Sequence, residues 1–289
     1  MPSTGRHPDP PKGADLHVHT TYSDGSLAPA EVVALGQSRG LAQIAITDHD
    51  TIDGIPEAVA AAQNTPLEIV PGVEVSTRLE HAEIHILGLF IEPDRGTLSA
   101  FLRERYEERR VRIYAMTAKL RELGLALSPE EVFAVAGEGV AGRLHVAEAL
   151  LRKGQVGSQQ KAFYRFIGEN GPAYVARQVI HPAEAVRHIC SVGGVPILAH
   201  PGLSNCDELI PALVESGIMG IEVYYPAQSP ADAQFYLGIA QKHGLLVSGG
   251  SDCHGHYKNE VMLGRIRIAP ELLERLREAA QSVRQRGRQ

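Results

Sequence analysis

Asp15-Leu16-His17-Val18-His19 has the alternation of a short β-strand, which places its two histidines on the same side. Two imidazoles that project together from one rigid segment can bind one metal ion. The alternative interpretation is a core strand with two partly buried histidines. The polar segment 20–25 follows directly and contains Asp24, so three potential ligands occur within eight residues. We therefore interpret this stretch as part of a metal site at the end of a strand.

The composition of the chain excludes several classes of partner. Its 289 residues, 44% hydrophobic and 21% charged, suit one large α/β domain or a domain with an insertion. The net charge of −6 argues against binding to long duplex nucleic acid. No apolar segment approaches the length of a membrane span, so we expect no membrane partner. The scattered Cys190, Cys206 and Cys253 favour a reducing compartment, and we expect a cytoplasmic location.

Short strands alternate with helices on both sides of a central segment. The first part follows a polar, proline-rich stretch at 1–13, for which we predict a disordered tail. From residue 14 to 96, and again from 178 to 289, the alternation predicts a parallel sheet with helical crossovers. The chemically interesting polar residues fall at or just beyond the ends of the predicted strands. Parallel α/β barrels place their active sites at that edge.

The central segment, 97–177, has no strong strand signal, and we predict an all-helical insertion that serves as a substrate-binding cap. A long charged helix is predicted from Leu98 to Leu123. Ser128-Pro129-Glu130-Glu131 has the pattern of a capping box at the start of a second helix, and a third is predicted near 144–152. The charge run of the long helix is typical of a solvated helix face.

Nine residues that could bind metal ions are predicted at one edge of the sheet. They are six imidazoles and three carboxylates: His17, His19, Asp24, His49, Glu74, His85, His200, Asp252 and His254. Nitrogen and carboxylate ligands without thiolates suit zinc, manganese or iron. So many ligands suit two or three ions, with Glu74 as a bridging carboxylate. By simple counting, three divalent ions, three carboxylates and one hydroxide leave a charge of about +2, which suits a phosphomonoester dianion. A metal-bridging hydroxide would then be the nucleophile.

Five motifs in this order resemble those of the polymerase-and-histidinol-phosphatase (PHP) domain, a family of amidohydrolase-like metalloenzymes. They are DLHVHTTYSDG at 15–25, TDH at 47–49, GVEVS at 72–76, AHP at 199–201 and GSDCH at 250–254. The resemblance covers about 14–95 and 178–260 and implies a distorted (β/α)7 barrel with a trinuclear metal centre. From it we expect two or three divalent ions, with manganese as the expected metal and zinc or iron as alternatives.

The resemblance also implies how the ligands are shared between the ions. His17, His19, Glu74 and Asp252 would hold the first ion. Glu74, His85 and His200 would hold the second, and Asp24, His49 and His254 the third. Some members of the family carry histidine where this chain has Asp24, so the chain departs from their pattern at the third ion.

A PHP barrel with a helical insertion that contains Arg143-Leu144-His145 is similar to one subgroup of the family. That subgroup removes the 3′-phosphate from 3′,5′-bisphosphonucleotides, and its members are also described as 5′-to-3′ exonucleases on short RNA. The similarity implies that Arg143 and Arg177 grip a second phosphate. His145 would orient a phosphate or protonate the leaving oxygen. The alternative is an arginine at a helix start and an incidental surface histidine.

Two other functions stay open on the sequence alone. One is a histidinol-phosphate-type phosphatase that acts on a small non-nucleotide phosphomonoester. The other is a non-catalytic or proofreading module that resembles the PHP part of a replicative polymerase. All nine ligand positions are filled in this chain, which is unexpected for a degenerate module.

Overall fold

A computed structural model of the chain describes residues 13–80, 82–93, 96–137, 139–176, 178, 180–204, 207–257 and 260–287. Apart from Gly13, the predicted tail lies outside these residues. Seven strands form one sheet in chain order. They are β1 (Ala14–Val18), β2 (Gln43–Ile46), β3 (Glu68–Leu79), β4 (Ala82–Leu89), β5 (Val195–Leu198), β6 (Gly220–Tyr224) and β7 (Leu246–Gly249).

Helices connect most of the strands and form the central segment. They are α1 (Pro29–Ser38), α2 (Ile55–Ala62), α3 (Leu98–Glu122), α4 (Pro129–Ala136), α5 (Arg143–Arg152), α6 (Gln159–Ala162), α7 (Pro182–Ser191), α8 (Pro201–Ser204), α9 (Ile210–Glu215), α10 (Pro230–His243) and α11 (Pro270–Arg286). A π-helical turn, Phe163–Ile167, continues α6, and two 3₁₀ turns lie at Asp207–Leu209 and Gly255–Tyr257. The predicted α/β class is confirmed. In the part of the chain that the structure describes, no helix is both long and apolar enough to cross a membrane.

The sheet is mixed, and the prediction of a wholly parallel sheet is wrong for one strand. β4 runs antiparallel to both β3 and β5, whereas the remaining neighbours pair in parallel. Only residues 80 and 81 connect β3 to β4. A connection this short allows a hairpin, because parallel neighbours need a crossover of about a dozen residues or more.

The hairpin of β3 and β4 is also longer than the rest of the sheet. β2 pairs with β3 over 68–71, and β5 pairs with β4 over 86–89, so the remaining parts of the two strands pair only with each other. Glu74 and His85 therefore lie inside strands. The prediction that they occupy strand ends is wrong.

The segment that follows β7 lies against the end of β1, as a barrel requires. Among the described residues, β1 meets this segment through one isolated parallel bridge between Val18 and Cys253, and the backbone N–H of His19 donates to the carbonyl oxygen of Cys253 at 3.0 Å. Gly250 permits this approach, because a Cβ there would lie 2.5 Å from the backbone nitrogen of His17. The 250–254 motif is thereby placed beside the first motif.

The central helices have a hydrophobic core of their own. Its members include Ile113, Met116, Leu120, Val132 and Leu150, all at most 2% exposed. The first turns of α3 pack instead on the core between the sheet and its helices, so α3 belongs to both. The division of the chain at 97 and 177 stays a prediction.

One face of α3 buries arginines, and the prediction of a solvated charge run is wrong there. Arg105, Arg109 and Arg112 are 9%, 8% and 7% exposed. Their spacing of four and then three residues places them on one side of the helix. A buried guanidinium needs partners, and each of the three has one: Glu108 for Arg105, Asp50 for Arg109 and the carbonyl oxygen of Val175 for Arg112.

Candidate metal centre

The histidines of the first motif converge on one carboxylate. Nε2 of His17 and Nε2 of His19 each lie 3.1 Å from Oε2 of Glu74. All three side chains are buried, with at most 1% exposed. The alternation of β1 and the register of the β3–β4 hairpin together produce this convergence.

The other predicted ligands lie around the same carboxylate and its neighbours. Nδ1 of His85 and Nε2 of His200 are 2.9 and 3.0 Å from Oε1 of Glu74, and Nδ1 of His49 is 3.2 Å from Oε2. Oδ1 of Asp252 is 3.2 Å from Nε2 of His19. Nε2 of His254 is 3.3 Å from Oδ1 of Asp24. The structure therefore brings together all nine residues that the sequence proposed.

Three groups of these residues have ligand atoms within 4.8 Å of one another. One is His17, His19, Glu74 and Asp252, the set expected for the first ion. A second is His19, Asp24, His49 and His254, which is the set expected for the third ion plus His19. The third group is His49, Glu74 and His85, so His49 stands where His200 was expected. How individual ions divide these ligands stays a prediction.

Imidazoles of the cluster compensate the negative charge of its buried carboxylates. Burial raises the pKa of the Glu74 carboxyl, but the imidazoles of His49 and His17 outweigh it and hold this pKa well below its usual range. Burial lowers the pKa of His19, but the carboxylates of Asp252 and Glu74, which lie close to its Nε2, raise it to about 10. The pKa of His85 rises to about 9, against the effect of burial, because Glu74 and Glu83 lie beside it. The carboxylates are thus ionised and some imidazoles hold protons when no metal is bound.

The donor set fits divalent metal ions. Nε2 of His19, Nδ1 of His49, Nδ1 of His200 and Oδ1 of Asp24 are buried and make no hydrogen bond within the described part of the chain. Three of these atoms, on His19, His49 and Asp24, lie 3.1, 3.2 and 3.3 Å from a polar atom of another predicted ligand without forming a hydrogen bond of good geometry. Buried polar atoms without hydrogen bonds cost free energy, so their occurrence together calls for a ligand. Imidazole nitrogens and carboxylate oxygens are suitable ligands for zinc, manganese and iron.

Glu222 is a part of the site that the sequence analysis did not identify. It lies in β6 with no exposed surface, and its Oε1 is 3.0 Å from Nδ1 of His17. The backbone N–H of His200 donates to its Oε2 at 2.8 Å. A carboxylate at Nδ1 fixes the imidazole so that Nε2 faces the cluster. The available signal was a single acid within the otherwise apolar strand 220–223.

Other buried polar groups hold the loops of the site in place. The hydroxyl of Tyr225 donates to Oδ2 of Asp252 at 2.9 Å. Asp15 accepts from the backbone N–H groups of Ser251 and Gly264 at 2.8 and 2.7 Å, and burial raises its pKa to about 6. Asp48 accepts from the N–H and hydroxyl of Thr20, both at 2.7 Å. Asp48 thus holds the turn that carries Asp24.

Arg143 lies at the edge of the predicted metal centre. It is the first residue of α5, and its Nη2 is 3.7 Å from Oε2 of Glu83. Its guanidinium carbon lies 5.9 Å from the ring centre of Phe163 and 5.8 Å from that of Tyr174. A cleft of about 290 Å³ is lined by Arg143, Phe163 and four of the predicted ligands, Asp24, His49, His85 and His254.

The two other predicted substrate residues differ in position. His145 is 3% exposed, and its Nδ1 accepts from the backbone N–H of Gly142 at 3.0 Å. It is therefore not an incidental surface histidine, and it fixes the start of α5. Its role toward a substrate stays a prediction. Arg177 lies outside the described residues.

The fold and the site together define a class of protein, the metal-dependent hydrolases built on an α/β sheet. A family model for the PHP domain matches residues 15–138. Over 246 residues the chain is 34% identical to a 3′,5′-nucleoside bisphosphate phosphatase of Chromobacterium violaceum, covering 83% of this chain and 86% of that protein. The chain belongs to the PHP domain family, and it is a PHP-domain phosphoesterase.

Other relatives of similar identity have different names. A 5′-3′ exoribonuclease of Haemophilus influenzae is 34% identical, over 84% of this chain and 90% of that protein. A phosphoribosyl 1,2-cyclic phosphate 1,2-diphosphodiesterase of Eggerthella lenta is 32% identical, over 84% of this chain and 94% of that protein. A solved structure from Bifidobacterium adolescentis, assigned to the metal-dependent phosphoesterases, matches with a TM-score of 0.86 and 28% identity over 94% of this chain and 97% of that one.

Replacing Glu222 should weaken metal binding without abolishing the fold. In Glu222→Gln, the His17 imidazole loses its carboxylate partner, and we expect metal affinity to fall about 10- to 100-fold. Competition with a chromogenic chelator measures this affinity. Glu215→Gln, on the exposed surface of α9, is the matched control and should bind metal as the wild type does. Unchanged affinity in Glu222→Gln would contradict the role assigned to this carboxylate.

Metal binding should release protons. His19 and His85, with pKa values of about 10 and about 9, hold protons at pH 7 in the metal-free protein and must lose them to bind an ion. We expect apparent affinity to rise about 100-fold per pH unit below about 9, where both protons must be released, and about tenfold per pH unit from there to about 10, where only the proton of His19 remains. Titration calorimetry in two buffers of different ionisation enthalpy counts these protons. Identical heats in the two buffers would show that the sites bind metal without proton release.

Proposed function

We propose that this phosphoesterase hydrolyses the 3′-phosphate of 3′,5′-bisphosphonucleotides and also acts on the 5′ ends of short RNA. The observation that carries the proposal is the placement of Arg143 in the same cleft as four predicted metal ligands. A cleft lined by both predicted metal ligands and a guanidinium suits a molecule with two phosphates. Relatives named for bisphosphonucleotides and for RNA support the same substrate class.

The cleft also has the size and lining expected of a nucleotide site. Its volume of about 290 Å³ is near the lower end of small-molecule sites, which favours a mononucleotide or a chain end over a long strand. Val140, Leu144 and Phe163 contribute its apolar wall. An apolar wall beside charged groups suits a nucleoside that carries phosphates.

Each group of residues has its own role in the proposed reaction. The nine histidines and carboxylates hold divalent ions, which when bound supply an activated water and neutralise charge on the phosphate. Arg143 and Arg177 bind the second phosphate through forked hydrogen bonds. Burial lowers the pKa of His145, so its imidazole is neutral at pH 7, and it orients the start of α5 rather than acting as the acid.

A screen for released phosphate tests the proposal. The manganese-loaded protein is assayed with adenosine 3′,5′-bisphosphate, adenosine 5′-monophosphate, histidinol phosphate and a short 5′-phosphorylated RNA. We expect the bisphosphate to have the highest kcat/KM. Preferential turnover of histidinol phosphate would favour the small-phosphomonoester phosphatase instead. Failure to hydrolyse any substrate in the presence of metal would favour the non-catalytic module.

Arg143→Ala should lower the preference for the bisphosphate. Loss of hydrogen bonds to a charged group is worth about 1.5–3 kcal/mol, so kcat/KM for adenosine 3′,5′-bisphosphate should fall about 10- to 100-fold. Adenosine 3′-monophosphate, which lacks the second phosphate, should be affected much less. Arg152→Ala, at the exposed end of the same helix, is the control. Unchanged bisphosphate turnover in Arg143→Ala would contradict the nucleotide assignment.

A further inference from the structure

Arg109 lines the cleft of the predicted metal centre although it belongs to the long helix α3. The cleft is bordered by Arg109 together with Asp24, His49, His85 and Arg143. Its neighbours on the same helix face, Arg105 and Arg112, line a separate small cavity of about 50 Å³, which Arg109 also borders. Of the three buried arginines, Arg109 is therefore the one that can contact a molecule bound beside the metal ligands.

The guanidinium of Arg109 is held in place from one side. Its Nε donates to Oδ2 of Asp50 at 2.8 Å, and its Nη2 donates to the same oxygen. Nη2 also lies 3.4 Å from the hydroxyl of Ser76. Asp50 is anchored in turn, because its Oδ1 accepts from the backbone N–H of Ser76 at 3.0 Å. The carboxylate fixes the plane of the guanidinium.

The remaining nitrogen, Nη1, lies toward the start of α5. A Cβ at Gly142, the residue before this helix, would be 3.4 Å from Nη1 of Arg109. Gly142 therefore lets the guanidinium approach the first turn of the helix. Arg143 is the first residue of that turn, and its side chain borders the same cleft. Arg109 and Arg143 thus both border the cleft where α5 begins.

Such an arrangement has the chemistry of a phosphate site. The first backbone N–H groups of a helix lack partners within the helix, and the helix dipole favours an anion there. Arginine adds a planar set of donors that matches phosphate oxygens. α5 has 10 residues, long enough for the dipole to contribute. The carboxylates of Asp50 and Glu83 balance the two guanidiniums when no anion is bound, and a phosphate dianion would compete with Glu83 for Arg143.

We propose that Arg109 is a specificity-determining residue that contacts the second phosphate of the substrate, together with Arg143 and the first turn of α5. Asp50 is the positioning residue that aims Nη1 of Arg109 at this phosphate. The inference rests on the proposed function, because it assigns the binding site of the phosphate that is not hydrolysed. It requires that a nucleoside 5′-phosphate bind more tightly than the nucleoside alone.

The test compares the binding of adenosine 5′-monophosphate and adenosine to the metal-loaded protein by calorimetry. In Arg109→Lys, one ammonium can pair with Asp50 but cannot also extend a second nitrogen to the phosphate. We expect the preference for the monophosphate over adenosine to fall about 10-fold or more, by the loss of hydrogen bonds to a charged group. Arg112→Lys, one turn along the same face, is the matched control and should keep the wild-type preference.

A second variant separates phosphate binding from support of the fold. Asp50→Asn removes the negative charge but keeps a side-chain oxygen that can accept from the guanidinium of Arg109, so Arg109 stays aimed at the phosphate and the preference for the monophosphate should persist. If Arg109 serves only to neutralise Asp50, Arg109→Lys should leave the preference for the monophosphate over adenosine unchanged, and this result would overturn the inference. A wild type with no preference for the monophosphate would also overturn it.

The assay of turnover distinguishes this inference from the proposed function. If the wild type prefers adenosine 5′-monophosphate over adenosine and Arg109→Lys abolishes the preference, the inference stands even where no 3′-phosphate is released. In that case only the proposed reaction fails. If the wild type hydrolyses the bisphosphate and Arg109→Lys retains the full preference, the inference fails and the reaction stands.

Discussion

The site depends on the burial of one carboxylate, that of Glu74. Imidazoles from four parts of the chain lie within 3.2 Å of its two oxygens: His17 and His19 around β1, His49 after β2, His85 in β4 and His200 after β5. An ionised carboxylate in the interior costs several kcal/mol unless positive charge compensates it. Protons on the histidines supply that charge in the metal-free protein, and metal ions would supply it otherwise. The antiparallel course of β4 contributes to this compensation, because the hairpin register pairs Glu74 with Leu87 and Ser76 with His85 and so brings the His85 imidazole to Glu74.

Most of the predicted ligands could be found from local sequence because each belongs to a short motif beside a predicted strand. Alternation alone places His17 and His19 together, and the order of the motifs places the others at one edge of the sheet. Glu222 could not be found in this way. The local signal, a single acid within an apolar strand, does not identify a partner, and its partner His17 is 205 residues away along the chain. Its role follows only from the sequential order of the strands, which the hydrogen bonding of the sheet determines.

The burial of Arg109 could not be predicted from the sequence for a different reason. α3 alternates charges on all sides, so its pattern does not indicate which face contacts the rest of the protein. The partner that stabilises Arg109 is Asp50, which lies 59 residues earlier and next to the predicted ligand His49. The backbone of Asp50 has a positive φ of 53°, a conformation that few residues other than glycine adopt. The pairing with Arg109, together with the hydrogen bonds from the backbone of the site, compensates this strain and joins the helical segment to the metal centre.

If Arg109 and Arg143 bind the second phosphate as proposed, the metal centre and the helical segment contribute separately to substrate choice. Metal ions attract any phosphate monoester, since they recognise charge and not the rest of the molecule. Arg109 and Arg143 border the same cleft as four of the predicted ligands, and each is already paired with a carboxylate. A phosphate held by the metal ions alone leaves these pairs unchanged, whereas in the proposed binding mode the second phosphate gains contacts with both guanidiniums and displaces only the longer pair, that of Arg143 with Glu83. On this proposal, specificity is a difference between two sets of ion pairs, and the geometry of Arg109 decides how large that difference is.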